Sequence, residues 1–491
     1  MTLASSRRLL LPLVLSACCA RPAAQKPAPE PPALPAVGDL GVQPANLDAQ
    51  LTPYIEAIGG DRGEASRFHG YVLVAQHDQP IYARAFGLAD RAASRAATAD
   101  TTFRIGSVTK QFTAAAILKL EAAGKLSVND TVATHLPSYP GPGKDVTIHQ
   151  LLTHTAGLPN YTAMPAIEAK KNARLSTAEL LALFQDLPLE FAPGSRFAYS
   201  NSGYAVLGAI IERVSGKRYA AYLRDELFAP AGMTRTAVDD AVGAPDRALG
   251  YKRAGEALVE ADPIDLSVAF AAGAVRSTAN DLVRWHRALA GDTILPATAR
   301  EKLYRVERDG YAYGWVVQEV AGRHTVWHNG GIDGFRTMYW LVPDADLVVV
   351  VLGNVEEVNA DPIGKAAVEA AFGATLEPPV SRKQGTLDPA IVARVVGTYA
   401  ITDEGIAAVK QLGAPQELVD SIMTIEVTAS SDGLSMKPNG QDAVNLTPVE
   451  GGAFFDEASG VELSFELPSA GPVTGVTLSQ GPLRIRYSRR L

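Results

Sequence analysis

Two cysteines in 491 residues, both near the start at Cys18 and Cys19, leave the rest of the chain without a disulfide, a thiol nucleophile or a thiolate metal site. Basic charge is also short: 45 Lys and Arg face 53 Asp and Glu, a net charge of −8 with no basic block, which argues against capture of nucleic acid. Apolar runs of membrane-spanning length are missing too, and Leu347 to Leu352 (LVVVVL) is the densest apolar segment, short and Val-rich as a buried strand is. Several enzyme signatures are absent: G-x-S-x-G, H-E-x-x-H, the P-loop and G-x-G-x-x-G. His149 and His154 lie five apart with no acidic partner between them, a poor metal pair, and no pattern calls for a metal or an organic cofactor.

What is present starts with an address. Arg7 and Arg8 precede the apolar stretch Leu9 to Ala17, which reads as a secretory signal over residues 1–17. Its end, Leu15-Ser16-Ala17-Cys18, resembles the lipobox of bacterial lipoproteins, so Cys18 is the expected lipidation site; cleavage after Ala20 is the plainer alternative. Residues 18–44 include the Pro/Ala-rich run Arg21 to Pro35, an extended tether. These features predict an exported, periplasmic protein held to a membrane by lipid.

The body from 45 to 376 opens with a helix over Ala45 to Ile58, whose apolar residues recur at three- and four-residue steps. Gly70 to Gln76 and Ile81 to Gly87 read as a hairpin; helical patterns follow from Ser107 to Ala290. Strand signals return at Tyr313 to Val320, His324 to His328, Thr337 to Val342 and Asp346 to Leu352, before a helix over Pro362 to Phe372. Strands at both ends with helices between predict an α/β (α+β) fold, one sheet flanked by helices with an inserted all-α subdomain. Residues 377–388 read as a linker. Short β runs between Thr424 and Tyr487, with a helical insert over Gly405 to Met423, predict a small barrel or sandwich over 389–491.

Three motifs carry chemistry. Ser107-Val108-Thr109-Lys110 is the only Ser-x-x-Lys and opens an Ala/Leu-rich helix that Gly124 can close. Residues three apart share a helix face, so Lys110 can reach the Ser107 hydroxyl, and burial would favour the neutral amine that accepts its proton. An N-cap serine followed by a surface lysine is the bland alternative. Tyr199-Ser200-Asn201 is the only Tyr-x-Asn; a buried phenol can relay a proton, and the Asn201 amide can hold a substrate carbonyl or Lys110. His328-Asn329-Gly330-Gly331 is expected at a strand end, where glycines let backbone approach a ligand and the Gly331 N–H can pair with that of Ser107 as an oxyanion hole.

In that order and spacing the motifs resemble the serine β-lactamase and penicillin-recognising hydrolase superfamily, in its class C-like branch of β-lactamases, DD-carboxypeptidases, D-aminopeptidases and esterases. The resemblance extends to Leu151 to Pro159, Ala272 to Leu282 and Tyr313-Gly314-Trp315, while Val396 to Tyr399 looks like the start of an appended lipocalin-like barrel. It implies an antiparallel sheet, Ser107 as acylated nucleophile, Lys110 as activating base and Tyr199 as proton-transfer phenol, with the formal base open between those two. Asn201, His328, Gly330 and Gly331 fall to substrate and oxyanion binding. Class C β-lactamases usually carry lysine where this chain has His328, a weaker anion anchor, so the resemblance favours a small ester, peptide or peptidoglycan-like substrate over a β-lactam. Arg276 and Arg336 are candidate contacts for an acidic substrate group. A noncatalytic envelope protein binding cell-wall fragments is the alternative from another class.

Overall fold

The computed structural model describes residues 41–59, 63–238, 246–255, 257–379, 382, 385–411, 419, 421–430, 433–438, 443–456, 460–468, 473–480 and 483–490. The signal, Cys18 and most of the tether lie outside them. The described chain forms two compact units, one ending at Pro379 and one beginning at Val380.

In the first unit, helix α1 (Pro44–Ala57) leads into strands β1 (Gly70–Gln76) and β2 (Gln79–Phe86). The hairpin turn is tighter than expected: His77 and Asp78, both at positive φ (49° and 62°), form a two-residue turn. Pro80 therefore falls inside β2, beside a register shift on the sheet's edge strand, where a missing N–H is tolerated. Helices α2 (Thr109–Ala122), α3 (Asn201–Ser215) and α4 (Ala279–Ala290) follow. The chain then returns as β3 (Val316–Val320), β4 (Arg323–Ile332), β5 (Phe335–Val342) and β6 (Leu347–Gly353), and α5 (Asp361–Ala371) closes the unit. The six strands are ordered β3-β4-β5-β6-β1-β2, every neighbouring pair antiparallel.

The unbroken apolar run of β6 has a simple cause. Val348, Val350 and Leu352 enter the core that holds α2, whereas Leu347, Val349 and Val351 enter the core lined by α1 and α5. Side chains alternate across a strand, so a strand covered on both faces must be apolar at every position.

The helix expected to begin at Ser107 begins two residues later. Gly106–Val108 form a 3-10 turn that runs into α2, and the helix ends where Gly124 takes the left-handed conformation (φ 66°). From Thr109 to Leu118 α2 is buried on every side, and its polar residues there have partners within the protein. Thr109 accepts from the Val275 N–H at 3.0 Å, Gln111 accepts from the Trp285 indole at 2.7 Å, and Thr113 donates to Ala271 O at 2.7 Å.

The second unit is a closed eight-stranded barrel of β7 (Gly397–Ile401), β8 (Thr424–Ser430), β9 (Gly433–Pro438), β10 (Val444–Pro448), β11 (Phe454–Asp456), β12 (Val461–Phe465), β13 (Gly475–Gln480) and β14 (Leu483–Arg489). In β14, Leu483, Ile485 and Tyr487 point inward and Arg484, Arg486 and Ser488 outward, the period-two alternation of a barrel wall. The insert between β7 and β8 carries a helix over Asp403–Gln411, starting two residues before the expected position. Strands β9 and β11 were not anticipated; three residues of β11 are too few to show a period.

Candidate active site

Ser107 sits in the middle of the 3-10 turn that runs into α2, and Lys110 follows three residues later in the first turn of that helix, near enough for its side chain to reach back to the serine. Lys110 has no solvent exposure. Its Nζ lies 3.0 Å from Ser107 Oγ, 2.8 Å from Asn201 Oδ1 and 2.8 Å from the Ala272 carbonyl. Burial pushes its pKa well below the ordinary lysine value. A neutral amine has two N–H groups and one lone pair. Asn201 and Ala272 can only accept from it, so they take both hydrogens and leave the lone pair for the Ser107 proton.

The Tyr199 hydroxyl donates to Ser107 Oγ at 2.9 Å, and burial raises its pKa, which keeps the phenol protonated. Lys110 Nζ stands 4.8 Å from the centre of the Tyr199 ring. Asn201 opens α3, and its amide spans two partners: Oδ1 meets Lys110, and Nδ2 donates to Thr162 Oγ1 at 2.9 Å. Of the two roles considered for Asn201, its oxygen therefore serves Lys110.

The third motif lies inside a strand, not at its end. β3 pairs with β4 only from Arg323 to Trp327, while β5 continues beside β4 to Ile332. Among the described residues, His328 to Ile332 thus have no strand on the β3 side, a free edge of backbone donors and acceptors. That edge runs against the Ser107 turn. Gly106 (φ 51°) is so close that a Cβ there would stand 2.8 Å from Gly331 N, and a Cβ on Gly330 would overlap the Ile105 carbonyl and the Thr337 hydroxyl. Both glycines are needed for this approach.

The His328 side chain departs from a substrate contact. Its ring is 3% exposed, and its pKa is pushed down to about 3 by burial and by Lys110. Nδ1 is 2.6 Å from Asn329 O and Nε2 is 3.0 Å from Tyr311 Oη, so both nitrogens are engaged within the protein. Arg336 turns to Glu356 (3.8 Å) and to its neighbour's carbonyl, Phe335 O (3.0 Å). Arg276 sits on a short strand opposite Arg104. His149 and His154 serve separate hydroxyls, Tyr313 at 2.7 Å and Tyr311 at 3.1 Å.

The family model described as Beta-lactamase matches residues 55–374, which contain every group just described. The chain belongs to this family. Penicillin-binding protein 4* of Bacillus subtilis is 31% identical over 441 residues, covering 84% of this chain and 93% of that protein. Among solved structures, the penicillin binding protein from Bacillus halodurans is 31% identical with a TM-score of 0.55, over 62% of this chain and 96% of that one. The D-amino acid amidase from Ochrobactrum anthropi has the same fold (24% identity, TM-score 0.57, 65% of this chain and 98% of that one). The protein is a β-lactamase-like serine hydrolase of the superfamily that includes penicillin-binding proteins.

Sequence reasoning missed three contributors to the site. Ala272 acts through a carbonyl that every residue possesses, so its side chain carries no signal. Thr162, which accepts from Asn201, and Tyr311, which touches two histidines, lie outside any motif of fixed spacing.

Proposed function

We propose that this chain is an exported serine hydrolase that forms an acyl-enzyme at Ser107 from an ester or a D-amino-acid peptide and passes the acyl group to water. The observation that carries the reading is the saturation of Lys110: with both hydrogens committed, its one free valence points at Ser107 Oγ from 3.0 Å.

Ser107 attacks the substrate carbonyl as its proton passes to Lys110 Nζ. The carbonyl oxygen becomes an oxyanion against the N–H groups of Ser107 and Gly331, on the free edge of β4. Tyr199, protonated and touching Ser107 Oγ, gives the leaving alcohol or amine its proton and is reprotonated from Lys110. Water then repeats the sequence on the ester carbonyl.

The substrate class is supported by the names of a penicillin-binding relative and a D-amino acid amidase of the same fold. The inward-turned His328 offers no cation to the carboxylate of a β-lactam, which ranks lactam hydrolysis below ester and peptide hydrolysis. Export and lipid anchoring rest on Arg7, Arg8, Leu9 to Ala17 and Cys18.

The test is a panel of p-nitrophenyl esters, D-Ala-D-Ala peptides and nitrocefin, run on the wild type and on Ser107→Ala. Turnover and covalent labelling by a fluorophosphonate should vanish in the variant while its melting curve stays in place. Turnover that survives Ser107→Ala removes the nucleophile assignment. A wild type inert to the whole panel yet binding peptidoglycan fragments tightly points instead to a noncatalytic envelope protein.

A further inference from the structure

A neutral imidazole has one nitrogen that donates and one that accepts, and its neighbours decide which is which. His154 Nδ1 lies 3.1 Å from the Ser200 backbone nitrogen, whose N–H can only donate. Nδ1 therefore holds the lone pair, and Nε2 carries the hydrogen and donates to Tyr311 Oη at 3.1 Å. At the other end, His328 Nδ1 lies 2.6 Å from the Asn329 carbonyl, which can only accept. His328 Nε2 is then the acceptor, and the Tyr311 hydroxyl, 3.0 Å away, donates to it. Obligate partners at both ends fix the two imidazole hydrogens, and the Tyr311 hydroxyl, which also meets that of Tyr204, takes the His154 N–H and has the His328 lone pair in reach. The chain runs one way, from the Ser200 N–H through His154, Tyr311 and His328 to the Asn329 carbonyl.

All three rings are buried, at 2%, 3% and 3% exposure. The first link is the residue after Tyr199, and the last lies on the free edge of β4. The His154 ring rests on the Tyr199 ring, centroids 4.3 Å apart and planes 35° from parallel. His154 is held at φ 57°, a conformation that non-glycine residues adopt only where their surroundings repay it.

We propose that His154, Tyr311 and His328 form a positioning chain that aligns the Tyr199 hydroxyl with Ser107, holds the edge of β4 in register with it, and keeps both imidazoles uncharged beside Lys110. The inference rests on the acyl-enzyme reading above and adds residues that touch neither substrate nor the serine. An extra proton on His154 Nδ1 would face the Ser200 N–H, and one on His328 Nε2 would face the Tyr311 hydroxyl. The titratable groups around the two rings are Lys110 from α2, Tyr199 and Tyr204 from the start of α3, and Tyr311. Burial and Lys110 push both histidines towards the neutral form.

Tyr311→Phe keeps the ring and deletes the middle of the chain. On a p-nitrophenyl ester, kcat should fall about ten- to a hundredfold, as small misplacements of reacting groups do. KM should stay within about twofold, and nitrogen NMR should find His328 taking up its second proton at higher pH than in the wild type, as Nε2 loses its donor. Nitrogen NMR of histidine-labelled wild type should find His154 with its proton on Nε2 and His328 with its proton on Nδ1, both uncharged near pH 6, about where a free histidine is half charged. A folded Tyr311→Phe with wild-type kcat and an unmoved His328 titration overturns the proposal, as do the opposite tautomers. If the variant does not fold, the tautomers of the wild type decide. A wild type inert to esters, peptides and lactams brings down the acyl-enzyme reading and the positioning role together, with the tautomers unchanged. An active wild type beside an unaffected Tyr311→Phe brings down the positioning role alone.

Discussion

Tyr199→Phe deletes one oxygen and little else. The ring that remains keeps His154 at 4.3 Å and Lys110 Nζ at 4.8 Å, while the donor to Ser107 Oγ at 2.9 Å is gone. Two accounts of that hydroxyl differ in size. If it only steadies the serine, its loss removes one neutral hydrogen bond, about 0.5–1.5 kcal/mol net, or roughly two- to twelvefold in rate. If it delivers the proton that the leaving group needs, the loss is that of a general acid, about 10²- to 10⁴-fold, or roughly 3–5 kcal/mol.

Leaving groups separate the accounts further. p-Nitrophenolate departs as an anion and needs no proton, whereas an amine cannot leave until it has one. The assay is kcat/KM for one acyl group presented both as its p-nitrophenyl ester and as its alkyl amide, in wild type and Tyr199→Phe, with melting curves to show that both fold. Proton delivery predicts a loss of more than about a hundredfold on the amide and nearer tenfold on the ester. Equal losses of about tenfold or less on both substrates would refute proton delivery by Tyr199 and leave it a steadying contact.

Because burial holds Lys110 below the ordinary lysine range and the neutral amine is the reactive form, kcat/KM should rise with pH through a midpoint clearly under 10.5; a rate still climbing at that pH contradicts the neutral base. Gly330→Ala should lose fluorophosphonate labelling and destabilise the first unit by about 1–3 kcal/mol in urea unfolding, since its Cβ overlaps the Ile105 carbonyl and the Thr337 hydroxyl; full labelling means that β4 does not abut the serine turn as described. Asp346 accepts from His286 at 2.6 Å and His77 at 3.0 Å, and these bonds hold its carboxyl down to about 2. The sign follows: the folded state keeps the carboxylate ionised where the unfolded chain is protonated, so the stabilisation is complete above roughly pH 4 and fades as pH falls towards 2. Asp346→Asn should therefore have a lower Tm than wild type at pH 7, with the gap narrowing between pH 5 and pH 3; a gap independent of pH removes the ionic part of the contact.

What was legible in the sequence follows from where the physics is local. The Ser107–Lys110 spacing is read within one helical turn, and the LVVVVL strand shows its burial in its own composition. The state of Lys110 is not local. Burial pushes it towards the neutral amine, and that burial is assembled from afar: the Ala272 carbonyl and the Asn201 amide, 162 and 91 residues away in the chain, and the rings of Tyr199 and Tyr204 close around Nζ, the two oxygens fixing where its hydrogens point. The same distance hides the burial of α2. Thr109, Gln111 and Thr113 look like a solvated side until Val275, Trp285 and Ala271 supply their partners from more than 150 residues downstream. His328 shows the opposite failure. Its position in the third motif was visible, but its direction was not, because the face a strand residue takes is set by the pleat and register of β4, which the motif does not show, and here that face holds Tyr311. A nucleophile and its base must be near neighbours to exchange a proton, so short spacing betrays them. The groups that bury the base and keep it unprotonated need only reach it in space, and any part of the chain can supply them.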